Sequence, residues 1–335
     1  MRHSTTAQIQ KVTATGLFLT TQVLNVGVPL FFVISGFILS LPFAEAQFHL
    51  RKPVSLKSYF YRRVTRLEPP YLLCILLLFV LKIAAGRGTA TDLLPSLIAS
   101  SFYAHNFIFG RPSDINIVAW SLEIEIQFYI LAPLLSLMFA IARNSVRRLV
   151  LVAAVLVTTA LSTLAMQHTR LEFSLLAYGQ FFLAGFLLAE FHIHKRTCGT
   201  TFLWDFVWTG CWLMLLGLLM YGADMIHWLG PWLILLLFVC AFQGTIANRL
   251  VTNQWIATIG GMCYSIYLLH NYVIAAVGLA TEHLARDSGF AFRIAVQLLI
   301  MTPVVLAISA LYFRFIERPC MNPDWIWRWS SQRRV

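Results

Sequence analysis

Apolar residues fall in long blocks, separated by short polar stretches, along almost the whole chain. The blocks occupy residues 23–43, 69–85, 118–142, 149–166, 172–191, 203–222, 229–247, 255–280 and 292–316. Each is close to the ~20 residues that a helix needs to cross a bilayer. The pattern predicts an all-α fold, a polytopic transmembrane helical bundle with about nine spans. Residues 93–109 (LLPSLIASSFYAHNFIF) are apolar but short, and read as a re-entrant or interfacial piece. Residues 1–22 are too polar to span. Pro29 and the Ser35-Gly36 pair mark a kink or a close approach in the first span. Pro69-Pro70 fit a helix start. Glu317-Arg318-Pro319 should stop the last helix, with Trp325, Trp327 and Trp329 as an interfacial anchor behind it.

Composition narrows the class. The chain is 59% hydrophobic and 12% charged, about half the charge of a soluble domain. One membrane-embedded domain, 1–335, accounts for the length, with no soluble C-terminal domain. The net charge of +11 does not point to nucleic acid, because the basic residues bunch in short loops, as topology signals do. If 44–68 is cytoplasmic, the segments on that side carry 17 of the 25 Lys and Arg. This orientation puts residue 1 outside with no span before it, which predicts a missing upstream helix and ten spans in all. Cys74, Cys198, Cys211, Cys240, Cys263 and Cys320 are scattered, mostly within apolar runs, without a CxxC. They read as small buried hydrophobes rather than metal ligands or disulfides.

Candidate chemistry lies where polar residues interrupt these blocks. VAWSLEIEIQFYILAP (118–133) carries Glu123, Glu125 and Gln127. A carboxylate at bilayer depth costs roughly 2.5 kcal/mol or more, so it faces a partner or a water-filled cavity. At about 100° per residue the two carboxylates point some 200° apart. One is expected to face a central polar cavity, and the other to pair with a base or lie near the outer surface. Arg63 and Arg66, three apart on one helical face, suit either phosphate binding through their planar forks or simple topology marking. Tyr264, Tyr267 and His270 share a face, where His270 is either a packing histidine or a site residue. His192 and His194 form a solvated loop or a metal pair. His105, beside Asn106, fits either reading, and His3 stands alone in the polar head. GxSxG, P-loop and HExxH patterns do not occur. The residues alone leave an enzyme and a transporter of polar solutes both open.

Five pieces in order resemble the acyltransferase 3 family of integral-membrane acyltransferases: VGVPLFFVISGFILS (26–40), FYRRVTRLEPPY (60–71), WSLEIEIQFY (120–129), YSIYLLHN (264–271) and FIERP (315–319). The resemblance implies a ten-helix domain, here N-terminally shortened, that moves an acyl group from acyl-CoA to a hydroxyl of a carbohydrate or another small acceptor. MRHS at 1–4 is similar to the family's catalytic histidine and its neighbours, which implies His3 as general base. The RxxR match implies that Arg63 and Arg66 bind the CoA phosphates. The W-S-L-x-x-E match favours Glu125 over Glu123 as the catalytic carboxylate. Trp120, Ser121, Tyr264 and His270 are then expected at the substrate. Acyl-CoA is the implied donor, no metal is required, and a bacterial cytoplasmic membrane is the implied location. The alternatives are an exporter of a polar solute and a catalytically inactive family member.

Overall fold

The computed structural model describes residues 26–48, 50–194, 200–221, 225–281, 283–284 and 288–322. His3 and the three tryptophans of the C-terminal anchor lie outside these residues. In chain order the helices are α1 (Gly27–Gln47), α2 (Leu56–Ala84), α3 (Ala90–Ser101), α4 (His105–Phe109), α5 (Ala119–Leu135), α6 (Asn144–Ala165), α7 (Leu175–Ile193), α8 (Phe202–Tyr221), α9 (Ile226–Gln243), α10 (Thr245–Val251), α11 (Gln254–Gly261), α12 (Cys263–Thr281), α13 (Phe290–Tyr312) and α14 (Arg318–Cys320). No strand occurs among the described residues, and nine helices there are long and apolar enough to cross a membrane. The protein is an integral membrane protein, and its described part is all-α as the blocks predict. The described helices group into two compact units: α1 with residues 121–253, and residues 55–120 with α11 to α14.

In the first unit α7 is the buried centre, with 72% of its span inside the protein. It crosses α1 where both helices carry glycine. A Cβ on Gly36 would lie 2.1 Å from the Phe182 carbonyl oxygen, and one on Gly185 would lie 2.3 Å from that of Val33. Both values are far inside van der Waals contact, so only glycine lets the two backbones touch. Ser35-Gly36 therefore marks close packing. Aromatic rings fill the space beside the crossing: Phe182 stacks on Phe32 at 4.5 Å and on Phe128 at 4.1 Å between centroids.

Asp205, in the first turn of α8, closes the start of α10. Its carboxylate accepts the N–H groups of Thr245 (3.1 Å), Ile246 (3.0 Å) and Ala247 (2.9 Å). These are donors with no partner inside their own helix. Asp205→Ala should lower the melting temperature and speed amide exchange at these three residues, with Asp205→Asn falling between. Unchanged exchange in Asp205→Ala would refute the cap.

The second unit corrects two expectations. Pro69-Pro70 do not start a helix. α2 begins at Leu56, capped by Ser55, and runs through both prolines to Ala84, so the basic segment is helical rather than a loop. Each proline removes one intrahelical N–H. Hydroxyls from neighbouring helices bond the backbone around this break: Tyr264 donates to the Leu67 carbonyl (3.0 Å) and Tyr312 to that of Pro70 (2.5 Å). Such outside support is how membrane helices tolerate proline. The 255–280 block is not one helix either, since α11 breaks at Met262 before α12. The last span does stop as expected, at Cys320, one residue past Pro319. α13 passes into a π-helical turn at Phe313–Glu317 and on into α14, where proline occupies the first turn.

The 93–109 piece folds as a hairpin and is not one of the nine spans. Thr89 and Asp92 form a capping box at the start of α3, and the Thr89 hydrogen bonds hold the Asp92 carboxyl below the usual range. The hairpin reaches Tyr71, midway along α2. There the Tyr71 hydroxyl donates to the Ser100 carbonyl (3.0 Å), and the Tyr103 ring stacks on it at 4.9 Å. Tyr103 takes a left-handed backbone with φ 53°. The chain then returns past its own first arm: Ser113 meets Ser100 at 2.7 Å, and the Asp114 N–H donates to Ser96 Oγ at 3.2 Å.

Candidate functional site

In the first unit the 26–40 and 120–129 stretches meet at Glu125. This carboxylate is 3% exposed. Its Oε1 accepts the Ser35 hydroxyl at 2.6 Å and the Tyr129 hydroxyl from one turn further along α5. Ser35 occupies its position because the adjacent Gly36 brings α1 onto α7. Gln127 accepts the Leu175 N–H at 3.2 Å, tying α5 to the start of α7. Glu123 and Ser121 are also buried. Both carboxylates therefore lie inside, so neither sits near the outer surface.

The remaining three matched stretches meet in the second unit. Arg66 and Glu317 interact electrostatically. Glu317, in the π-helical turn, is fully buried, and its Oε2 accepts the Ser265 N–H (3.1 Å) and hydroxyl (2.5 Å). The Arg66 Nε is buried and makes no hydrogen bond among the described residues. Arg63 lies half-buried on the same helix, its guanidinium 6.0 Å from the Tyr59 ring. Tyr264 bonds the Leu67 carbonyl, and the Tyr267 hydroxyl bonds that of Val118. His270 is half-buried, with Nδ1 shared between the Ile266 (3.1 Å) and Tyr267 (2.9 Å) carbonyls. Carbonyl oxygens only accept, so Nδ1 is the donor in both contacts.

The hairpin contributes groups whose role the sequence left open. The Asn106 amide donates to the Trp120 carbonyl (3.1 Å), so it fixes the half-buried Trp120 at the head of α5. His105 is 0% exposed, and its Nδ1 bonds the Arg111 carbonyl at 3.0 Å. Burial pushes its pKa down from the usual histidine value, which keeps the ring neutral at pH 7. Arg111 and Asp114 form a two-pronged pair, with Nη2–Oδ2 at 2.7 Å. That hydrogen bonding holds the Asp114 carboxyl low and raises Arg111.

Sequence reading missed a buried ion pair in the first unit. Arg147 donates to both oxygens of Glu190, from Nε at 2.7 Å and from Nη2 at 2.9 Å, and both side chains are 0% exposed. The same guanidinium bonds the Ile141 carbonyl (2.6 Å) and Asn144 Oδ1 (2.7 Å), and it lies 4.6 Å from the Phe48 ring. The two partners are 43 residues apart, a separation with no periodic signature. His194 joins this cluster, with Nε2 at 3.1 Å from Arg147. His192 instead packs against Phe37 and Phe242. The two histidines thus face different neighbours, and no group of three His, Cys, Asp or Glu among the described residues is placed to hold a metal ion.

These helices, with carboxylates, arginines and tyrosines set among apolar packing, fit the membrane acyltransferases. The family model described as "Acyltransferase domain" matches residues 2–314, and the chain belongs to the acyltransferase 3 family. Over 125 residues it is 32% identical to the peptidoglycan O-acetyltransferase OatA of Listeria monocytogenes, a stretch that covers 34% of this chain and 20% of that protein. The chain thus matches about a fifth of that relative's length. No solved structure matches.

Proposed function

We propose that the protein is an O-acyltransferase that moves an acetyl or similar acyl group from acyl-CoA to a hydroxyl of a carbohydrate acceptor, in a bacterial cytoplasmic membrane. The observation that carries this reading is the family match across residues 2–314. The name of the relative supports the acyl group and the carbohydrate acceptor.

In the proposed step Arg63 and Arg66 bind the CoA phosphates, a task suited to guanidinium forks. His3 takes the proton of the acceptor hydroxyl as its oxygen attacks the thioester carbonyl. The C–S bond breaks, the ester forms, and the CoA thiolate leaves and is protonated. Glu125, its carboxylate held by the Ser35 and Tyr129 hydroxyls, orients His3 for that proton transfer. Trp120, Ser121, Tyr264 and His270 position the substrates within the polar cavity that the sequence leads one to expect. No metal ion takes part in this step.

The test is the acyl-ester content of surface polysaccharide in a deletion strain. Esters should be lost on deletion, restored by the full-length gene, and not restored by His3→Ala or Arg63→Ala at equal membrane abundance. Full restoration by both variants would remove the mechanism. An exporter would instead leave the purified protein unable to bind acetyl-CoA.

A further inference from the structure

We infer that the end of the second unit near residues 78–87 carries a binding site for a phospholipid of net negative charge, with one hydrocarbon chain between α2 and α12 and the phosphate at Arg87. A cavity of about 230 Å³ opens there. Leu78 is its buried floor, Leu81 and Leu279 are its walls, and the small Ala276 leaves the groove open on α12. Its lining is almost wholly apolar except at the rim, where Lys82 and Arg87 project.

That rim is built. Lys82 Nζ donates to the Asp114 carbonyl and lies 5.7 Å from the Tyr272 ring. The Tyr272 hydroxyl in turn bonds the Ile115 carbonyl. Arg87 follows the C-terminus of α2 in a paired turn: its N–H donates to the Lys82 carbonyl (2.9 Å), and the Gly86 N–H donates to that of Ile83 (3.0 Å). Gly86 has φ +66°, the left-handed position such a helix end requires. The turn returns Arg87 over the last helical turn, beside Lys82.

Among the described residues the charges at this rim are not balanced. The nearby carboxylate, Asp114, is engaged two-pronged by Arg111, and Arg87 forms no ion pair among the described residues. Two cations therefore stand over an apolar slot at the end of a membrane span. A free phosphate would satisfy the cations and leave the slot unused. A zwitterionic lipid would fill the slot and bring its own cation, leaving the net positive charge of the rim in place. An anionic lipid satisfies both, and basic residues at a membrane surface favour such lipids. This inference does not rest on the proposed enzymatic reaction.

Native mass spectrometry of the purified full-length chain tests it, with phosphatidylglycerol and phosphatidylcholine of identical chains added in turn. Phosphatidylglycerol should be retained preferentially, and Arg87→Gln should weaken its retention about fivefold. Ala276→Trp, which fills the groove and keeps both cations, should also reduce retention. Inorganic phosphate should not displace the lipid. Equal retention of the two lipids, unchanged retention in Arg87→Gln, or displacement by inorganic phosphate would each overturn the inference. Arg87 is exposed, so its variant folds even if the tryptophan variant does not.

Discussion

Glu125→Gln should reduce acyl transfer by at least about a hundredfold, the lower range for losing a positioned proton-handling group, with the protein still folded in the membrane. The substitution keeps size and shape, so the apolar packing around α5 is undisturbed. It replaces a pure acceptor with an amide that must also place two N–H donors. The hydroxyls of Ser35 and Tyr129 both point at one oxygen of Glu125, and a flipped amide would set donor against donor there. Glu123→Gln, two residues away, should cost less than tenfold. Turnover of acetyl-CoA with a saccharide acceptor, measured on both variants at matched abundance, checks this. Near wild-type turnover in Glu125→Gln, or a greater loss in Glu123→Gln, would reverse the assignment that the motif makes.

The second large effect is on stability. Removing either partner of the Arg147–Glu190 pair should destabilise the protein by about 3–5 kcal/mol, because each takes the close, two-pronged partner from a fully buried charge. Arg147→Met strands Glu190 with only the longer 3.3 Å contacts to Arg148 and His194. Glu190→Leu strands a guanidinium whose remaining partners are the oxygens of Ile141 and Asn144 and the His194 ring, with no carboxylate among them. The double variant Arg147→Met/Glu190→Leu should recover most of the loss, since a buried pair roughly breaks even against apolar residues of similar volume. Thermal unfolding in detergent of the two single variants and the double decides it. Single variants that melt with the wild type would show that the pair is solvated in solution.

What the sequence displayed was what hydropathy can encode. The number and order of the spans were legible because each must carry its own apolar length. The segment 93–109 was legible as something other than a span, because it is too short. The passage of α2 through Pro69-Pro70 was not, because its support comes from Tyr264 and Tyr312, nearly 200 residues or more away along the chain. Glu317 was read as a helix stop, since its bond to Ser265 is a tertiary fact. Ser35 and Glu125 were each noticed, one as part of a packing motif and one as a buried charge. Their hydrogen bond, 90 residues apart in sequence, could not be. Periodicity reveals which face a residue occupies but not which residue faces it.

The crossing of Gly36 and Gly185 has a mechanical consequence. With backbone on backbone, α1 cannot slide along α7 by a fraction of a turn, because every displacement drives a larger residue into the contact. The two helices form a fixed datum, and the depth of Ser35 is measured from it. Any motion during a catalytic cycle must then leave this pair untouched and be taken up elsewhere. Attempts to broaden the acceptor by mutation have room at the polar side chains, but none at two positions whose contribution is to have no side chain at all.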